Sequence, residues 1–258
     1  MHLNNYNHKF LIEGTRLIFV QTASARREGV KLHENILSIW TPPQYFYHFA
    51  KGGHVSAIRA HLRNKFFVRL DLSKFFDCIN RSRVHRALRR IGFSHRRAWD
   101  AACHSTVNKE AKKTNYSLPF GFVQSPVLAS LAFASSSLGV KIMELHRLGI
   151  DVSVYMDDIL LSGNNSADLY LARRQLEAAA EISRFTFNSI KSTGPKPEIE
   201  VFNIIVSYNT SKISPDRYKK FEEEVKIAKL AGRVDVVRGI LGYVGTINEN
   251  QCLALGII

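Results

Sequence analysis

The sequence is poor in several kinds of residue, and each shortage excludes a class of protein. Its three cysteines (Cys78, Cys103 and Cys252) are odd in number and form no C-x-x-C pair. This argues against a disulfide scaffold or a zinc ribbon and favours a reducing compartment. No apolar run approaches the length of a membrane span and the start of the chain is polar, so neither a membrane protein nor a signal peptide is expected. We therefore expect a cytoplasmic protein.

Acidic residues are also scarce relative to basic ones. Lysine and arginine number 36 against 22 aspartates and glutamates, which gives a net charge of +14. Such an excess favours a polyanionic partner, and nucleic acid is favoured over a membrane surface because the basic residues are spread over several elements. With 45% hydrophobic residues over 258 positions, the chain can form one large domain, with or without a small appendage. Repeats and low-complexity tracts are absent.

What is present is organised around a short acidic stretch. Two apolar segments, Val152–Tyr155 and Ile159–Ser162, flank the adjacent carboxylates Asp157 and Asp158. This pattern predicts a β-hairpin with the acidic pair at its tip. Two carboxylates so close together repel each other, and a divalent cation held by oxygen ligands relieves that repulsion. An ordinary aspartate-containing turn explains the hairpin equally well when it is considered alone.

A second acidic residue ends a strand far upstream. The segment Phe66–Leu72 reads as a mostly apolar strand interrupted by Arg69 and Asp71. Burying an unpaired carboxylate costs several kcal/mol, so Asp71 either caps the following turn or binds a cation.

Helices are predicted around these strands. An arginine-rich helix over Arg81–Ile91 favours a phosphate-binding surface over a merely solvated face, because few acids lie nearby. One long helix is predicted from Val127 to Leu148, where small residues permit close approach of another backbone or of a ligand. Two basic helices, from Pro215 to Lys229 and over Val234–Val244, are predicted near the end of the chain.

Five segments occur in an order that resembles the palm motifs of reverse transcriptases. Motifs A, B and C correspond to Asp71–Asp77, Leu118–Pro126 and Tyr155–Asp158, and motifs D and E to Phe185–Ser192 and Val201–Ile204. The likeness extends over roughly Val55–Ser207. Within the class, the chain resembles above all the bacterial retron, group II intron and defence-associated (abortive-infection-type) reverse transcriptases. Segment 52–57, with His61 downstream, and segment 238–244 look similar to retron-type enzymes.

The resemblance implies an α+β right-hand polymerase fold, with fingers and palm over residues 1–207 and a reduced or truncated helical thumb over 208–258. It implies an RNA-directed DNA polymerase that uses two Mg²⁺ ions, for which Mn²⁺ can substitute, held by Asp71, Asp157 and Asp158. The implied partners are an RNA template, an RNA/DNA duplex and dNTPs, with a non-coding RNA or protein as a further candidate partner.

Other positions acquire expected roles from the same resemblance. The Leu72 carbonyl would contact the second ion, Phe76 would act as the steric gate against a 2′-hydroxyl, and Lys191 would protonate the leaving pyrophosphate. The resemblance also places Phe120, Gly121 and Gln124 along the incoming nucleotide and template. The two basic residues that hold the triphosphate in the family have no match in this sequence, and Arg59, Arg63 and Lys65 are the candidates for that contact. Both Phe76 and Lys191 have a plain alternative, as a core ring and as a surface lysine.

One departure from the family pattern keeps other functions open. Phe120 stands where many members carry glutamine, so contact with the nucleotide sugar must differ. Untemplated or self-primed DNA synthesis is therefore a rival to templated synthesis. A nucleic-acid-binding scaffold without activity is the rival from another class, and the three retained carboxylates argue against it.

Overall fold

A computed structural model describes residues 5–12, 16–109 and 114–257 of the chain. Residues 110–113, from the segment between the predicted helices and motif B, lie outside this description. Helices and mostly antiparallel strands are mixed along the chain, which confirms the predicted α+β class.

The elements follow one another in the order that the sequence predicts, with a few additions. The strands are β1 (Tyr6–Ile12), β2 (Arg16–Gln21), β3 (Phe66–Asp71), β4 (Val107–Asn108), β5 (Tyr116–Ser117), β6 (Asp151–Tyr155), β7 (Asp158–Gly163), β8 (Thr193–Lys196), β9 (Glu198–Val201), β10 (Ile204–Ser207) and β11 (Thr210–Ile213). The helices are α1 (Ala23–Ile39), α2 (Gly53–His61), α3 (Phe75–Cys78), α4 (Arg81–Arg90), α5 (His95–Ser105), α6 (Ser125–Ala134), α7 (Ser137–Arg147), α8 (Ser166–Ile182), α9 (Pro215–Leu230), α10 (Val234–Ile247) and α11 (Glu249–Ile257).

The chain divides into two compact units, each built from separated segments. Unit 1 comprises Met1–Gln44, Leu72–Glu144 and Gln175–Asn188, and unit 2 comprises Tyr45–Asp71, Leu145–Arg174 and Ser189–Ile258. The three predicted metal-binding carboxylates all belong to unit 2.

Unit 2 contains a sheet with the strand order β6-β7-β3-β8. Strand β7 is antiparallel to both β6 and β3, so the acidic hairpin and the strand that ends at Asp71 are direct neighbours. Both faces of β3 and β7 are largely buried, because Phe67, Val68 and Leu70 alternate between the faces and none of them is exposed. The sheet is therefore a rigid platform for the residues at its end.

Unit 2 also contains α2, the first part of α8, a small sheet and the last helices. Strands β11-β10-β9 form a three-stranded sheet whose buried side chains share one apolar cluster with α9, α10 and α11. The sequence predicted two helices here, and α11 is an addition. Leu255 of α11 is fully buried in that cluster, and the Gln251 side chain bonds both the N–H and the C=O of Ile213. These two tertiary contacts explain why local sequence pattern alone did not reveal the helix.

Unit 1 is mainly helical, with the hairpin β1–β2 and the short pair β4–β5. Its core includes a ring cluster in which Phe75, Phe133 and Phe185 approach pairwise to between 5.8 and 6.1 Å. Phe75 comes from the motif A segment and Phe185 from the motif D segment, so these two motifs are fixed to each other inside unit 1.

The long helix predicted over Val127–Leu148 is interrupted. It consists of α6 and α7, bent by 70° at the break. Ser135 and Ser136 lie at the break, and their hydroxyls bond the carbonyls of Ala132 and Phe133, a local pattern that competes with helix continuation. Among the described residues no single helix is long and apolar enough to cross a membrane, and only this bent pair reaches that length and composition.

Candidate active site

The acidic hairpin closes through a two-residue loop. Tyr155 and Asp158 are register partners, so Met156 and Asp157 form the turn. Met156 has a φ of +58°, a conformation that L-residues avoid and that costs about 1–3 kcal/mol. Its backbone N–H donates to His48 Nδ1 at 3.2 Å. The strained loop is thereby held from outside the hairpin, and Asp157 is presented at its tip.

Asp71 lies directly opposite Asp158 in the sheet. The two residues are the last register pair between β3 and β7. Arg69, two residues before Asp71, donates from Nε and Nη2 to the same carboxylate oxygen of Asp158 at 2.9 and 2.8 Å. Two donors on one oxygen bind this carboxylate firmly, so Arg69 fixes the orientation of Asp158.

The motif D segment contributes contacts to Asp71. The Asp71 backbone N–H donates to Ser192 Oγ at 3.1 Å, and the neighbouring Lys191 places Nζ at 3.5 Å from Asp71 Oδ2. The Lys191 side chain is 57% exposed, whereas that of Asp71 is 6% exposed. Lys191 therefore brings a mobile positive charge to a buried carboxylate.

The negative charges at this end of the sheet are incompletely compensated. Burial raises the pKa of Asp157, and the charges of Asp158 and Asp71 raise it further. Burial also raises the pKa of Asp158, and the Arg69 guanidinium opposes that rise. The protein thus holds carboxylates together at an electrostatic cost, which is typical of functional sites.

A buried polar network supports the hairpin strands. The fully buried His61 of α2 is hydrogen-bonded to Ser162 Oγ at 2.6 Å and to Ser153 Oγ at 2.9 Å. Burial lowers the pKa of His61 to about 3, so the ring is neutral at physiological pH. Asn64 extends the network by donating to Ser162 Oγ and to Asp151. These bonds tie α2 to both β6 and β7 and fix the hairpin that carries Asp157.

The predicted nucleotide-contacting rings lie in unit 1. Phe76 is 7% exposed and packs edge to face against Phe120, with ring centroids 4.7 Å apart. The Arg16 guanidinium carbon lies over the Phe120 ring, 5.1 Å from its centroid. Phe76 is therefore both a packed ring and a neighbour of the residue that departs from the family pattern.

The loop before α6 is held by residues that the sequence assigned to substrate contact. Gly121 has a φ of +97°, and a Cβ there would lie 2.4 Å from the Phe19 carbonyl oxygen, so only glycine fits. Gln124 is 2% exposed, accepts from Gln21 and donates to Ser105. A direct contact between the Gln124 side chain and substrate would require these bonds to break. Leu72 is buried and bridged to Phe187.

Of the three basic residues predicted near the triphosphate, Lys65 lies at the other end of β3 from the carboxylates. It immediately precedes β3 and Asp71 ends the strand, so a rise of about 3.3 Å per residue separates their Cα atoms by about 20 Å. This distance argues against a triphosphate contact for Lys65. Arg59 lies in α2 and donates to the Thr246 carbonyl of α10 at 2.7 Å. For Arg59 and Arg63 the contact stays a prediction.

The carboxylates suit a divalent cation in their chemistry and placement. Among the residues that the structure describes, no group of three or more His, Cys, Asp or Glu side chains is arranged so that it could hold a metal ion. Magnesium does not require three protein ligands, because it is commonly held by one or two carboxylates together with water and substrate phosphates. Asp71 and Asp157 supply hard oxygen ligands, and Arg69 already occupies one oxygen of Asp158. The residues therefore fit Mg²⁺, with Asp71 and Asp157 as the more available ligands.

Sequence reasoning missed the residues that support this centre. Arg69 could have been found, because it shares a strand face with Asp71 at a spacing of two residues. The supporting roles of His48, His61 and Ser192 could not have been found from the sequence. Each of these residues comes from a distant segment and is linked to the centre through backbone or hydroxyl contacts.

Comparisons with known proteins agree on one family. The family model described as reverse transcriptase (RNA-dependent DNA polymerase) matches residues 16–206. The protease-reverse transcriptase of a foamy virus, solved with an RNA/DNA hybrid, has a TM-score of 0.51 at 12% identity, covering 96% of this chain and 33% of its own. The Candida albicans telomerase, solved with a fragment of telomeric RNA, has a TM-score of 0.50 at 10% identity, covering 90% of this chain and 46% of its own.

At these identities the structural likeness concerns the fold, and it confirms the right-hand polymerase fold. The chain spans between a third and a half of the length of these two proteins. No curated protein matches the sequence significantly. Because the family model accounts for residues 16–206, most of the chain, the protein belongs to the reverse transcriptase family, the RNA-dependent DNA polymerases.

Proposed function

We propose that the protein synthesises DNA on an RNA template at the end of the β6-β7-β3 sheet. The observation that carries the proposal is the register pairing of Asp71 with Asp158, which brings three acidic residues to one sheet end in a chain of this family. Charges this close and this buried are stable only with a counter-charge, and a metal-bound triphosphate would supply one.

Each residue of the centre has a distinct task in this proposal. Asp71 and Asp157 would hold Mg²⁺, which would supply activation of the primer hydroxyl and neutralisation of the triphosphate. Asp158 is oriented by Arg69 and maintains a negative potential at this end of the sheet. Lys191 lies beside Asp71 with an exposed side chain and is the residue proposed to donate a proton to the leaving pyrophosphate.

Phe76 is proposed to select dNTPs over NTPs. Its ring is supported by Phe120 and so cannot easily yield to a 2′-hydroxyl. Replacing Phe76 with Ala should raise the efficiency of NTP incorporation relative to dNTP by about tenfold or more, since a steric exclusion of this size is worth about 1–3 kcal/mol. Measuring kcat/KM for matched dNTP and NTP pairs tests this, and an unchanged ratio would assign Phe76 to the core alone.

The overall proposal is tested by nucleotide incorporation with purified protein and Mg²⁺. The assay compares an RNA template with a DNA primer, the primer alone, and no added nucleic acid, each with dNTPs or NTPs. Addition of the dNTP complementary to the template supports the proposal. Absence of any template-dependent addition, with folded protein, would contradict it.

Untemplated or self-primed DNA synthesis remains the second candidate because of one observation. The Phe120 ring contacts Phe76 and lies under Arg16, and this apolar ring stands where many family members present an amide. Incorporation without template or primer in the same assay would favour this candidate. RNA binding without incorporation would favour an inactive scaffold.

The biological setting is proposed from the resemblance alone. Segments 52–57 and 238–244 look similar to retron-type enzymes, which favours a retron-like or anti-phage defence role in the bacterial cytoplasm with a non-coding RNA or protein partner. Fingers and palm are assigned to residues 1–207 and a helical thumb to 208–258. In the described residues of that thumb, α11 supplements the two predicted helices.

A further inference from the structure

A polar cavity of about 530 Å³ lies entirely within unit 1. Residues of α4, of the α6–α7 break and of the segment after α8 line it. The charged and hydroxyl side chains that matter are Arg83, Arg86, Arg90, Arg184, Ser135 and Ser136. None of the residues predicted for catalysis or substrate binding lines this cavity, so it is a separate feature of the protein.

The arginines converge on the cavity from two elements. Arg83, Arg86 and Arg90 follow one another at intervals of three and four residues, which places them on one face of α4. Arg184 comes from the turn after α8. A solvated helix face would explain the three arginines of α4. It does not explain why Arg184, from the turn after α8, lines the same cavity. Among the described residues that line the cavity, none is acidic.

Within the described part of the chain, Arg83 forms no ion pair with a carboxylate, and the neighbouring Cys78 thiol is the group that favours its charge. Its side chain donates to the Ser183 carbonyl and lies 4.7 Å from the Phe185 ring, both of them neutral partners. Burial lowers the pKa of Arg83, and the positive charges of Arg86 and Arg184 lower it further. Arg90 likewise donates to a carbonyl, that of Ser135. The cluster therefore holds several like charges that backbone dipoles orient but do not neutralise.

Arg184 occupies a backbone position that favours glycine. Its φ is +54°, and its N–H bonds the Glu181 carbonyl while the Phe185 N–H bonds that of Ala180, the pattern of a helix end closed by a left-handed residue. Glycine is the usual choice there because a side chain is strained. A strained arginine whose side chain lines a cavity of arginines indicates that the charge is needed at this place.

The chemistry of the cavity suits phosphate oxygens. Guanidinium groups bind phosphate through paired N–H donors, and serine hydroxyls supply further donors. The described lining contains no aromatic ring on which a free nucleobase could stack, so the phosphates and not the base are recognised. Three of the arginines are exposed, which leaves them accessible to a strand that passes over the cavity.

We infer that this arginine cavity binds the sugar-phosphate backbone of an RNA strand at a site separate from the carboxylate centre. The inference goes beyond the proposed polymerase activity and does not depend on it. An RNA bound here would be held without regard to sequence, since only its phosphates are contacted. Such a site would anchor a structured or template RNA while synthesis proceeds elsewhere.

The test measures RNA binding by the full chain at equilibrium, in chelator and without dNTPs, so that polymerase failure cannot affect it. The probe is a fluorescent single-stranded RNA of mixed sequence, titrated at several salt concentrations. The variants are Arg86→Gln with Arg184→Gln, and Arg184→Gly alone. The matched control is Arg27→Gln with Arg96→Gln, which removes the same charge from exposed positions of unit 1 outside the cavity.

For the variant that combines Arg86→Gln and Arg184→Gln we expect about tenfold weaker RNA binding. The slope of log binding constant against log salt concentration should be shallower by about 1.4, because two phosphate contacts to a single strand are lost. The control should show neither change. Arg184→Gly should weaken binding while its unfolding temperature is not lowered, since glycine relieves the strained backbone. If Arg184 had a purely structural role, its replacement with Gly would lower the unfolding temperature and leave RNA binding unchanged.

Two outcomes would overturn the inference. Equal affinities and slopes for cavity and control variants would mean that the cavity does not contact RNA. Calorimetric binding of ATP to the wild type that disappears in the cavity variant, with RNA affinity unchanged, would mean that the phosphate comes from a free nucleotide.

Discussion

The carboxylate centre of unit 2 and the arginine cavity of unit 1 present opposite charges in similar circumstances. At the centre, Asp71, Asp157 and Asp158 are collected at one sheet end, with Arg69 and Lys191 as partial counter-charges. At the cavity, four arginines converge without any lining acid among the described residues. Each cluster is incompletely neutralised by the protein itself.

The difference lies in how each cluster is held. The centre rests on a sheet and on the buried His61 network, so its geometry is rigid. The cavity is lined by side chains of helices and of the turns between them, and three of its four arginines are exposed, which suits a ligand of variable shape. Each site contains a non-glycine residue with a positive φ, Met156 at the carboxylate centre and Arg184 at the arginine cavity. Together they indicate that strain and like charge are tolerated where a ligand of opposite charge binds.

The largest expected effect follows from replacing Asp71 with Asn. The change removes one negative charge and one metal ligand while keeping the size of the side chain. Incorporation of dNTPs should fall about a thousandfold, equivalent to about 4 kcal/mol of transition-state stabilisation. Steady-state kinetics on an RNA template measure this. Asp168→Asn, at an exposed acid of unit 2, is the control and should leave the rate unchanged.

A smaller effect is expected from Arg69→Met. Without the guanidinium, only the weaker effect of Lys191 opposes burial, so the pKa of Asp158 rises and the carboxylate ionises at higher pH. The rate at neutral pH should fall about tenfold to a hundredfold, as for other groups that position a ligand. The rising limb of the pH–rate profile should also move to higher pH. Arg63→Met, which changes an arginine just before the same strand, serves as the control. If Arg69→Met lowered the rate equally at all pH values, without moving the rising limb of the pH–rate profile, Arg69 would act through packing alone.

The smallest expected effect concerns stability in chelator. Since burial and like charge raise the folded-state pKa of Asp157, the folded protein loses stability as pH rises from the unfolded value of about 4 through the raised value. At neutral pH Asp157→Asn removes this cost and should raise the unfolding temperature by a few degrees. Added Mg²⁺ should stabilise the wild type and not the variant. Calorimetric melts at neutral and acidic pH check both parts, and a variant that melts lower would contradict the account.

Much of the centre could be predicted from residue order alone. The hairpin, its acidic tip and the strand that ends at Asp71 can be predicted from the apolar pattern of the strands and from the residues that favour a turn. Both are local features of the sequence. Register is not local: that Asp71 faces Asp158 and that Arg69 reaches it depends on sheet pairing. The interruption of the helix over Val127–Leu148 depends on serine hydroxyls that return to the backbone.

The placement of the basic residues shows a second limit. Lys65 is close to Asp71 in sequence, but the intervening strand β3 carries it to the far end of that strand. The arginine cavity was only half anticipated, because the α4 pattern predicts a phosphate-binding face while Arg184 joins it from a segment about a hundred residues away. Side chains from distant segments meet only in the fold, so their meeting was not predictable from spacing.

The central claim is that the carboxylate centre catalyses templated DNA synthesis. Its most direct test is single-nucleotide addition to a primer on an RNA template in Mg²⁺, for the wild type and Asp157→Asn side by side. The account predicts that the wild type adds the complementary dNTP, and that the variant is at least about a thousandfold slower although it is no less stable. A variant that extends the primer at the wild-type rate, or a folded wild type that adds no complementary nucleotide, would contradict it.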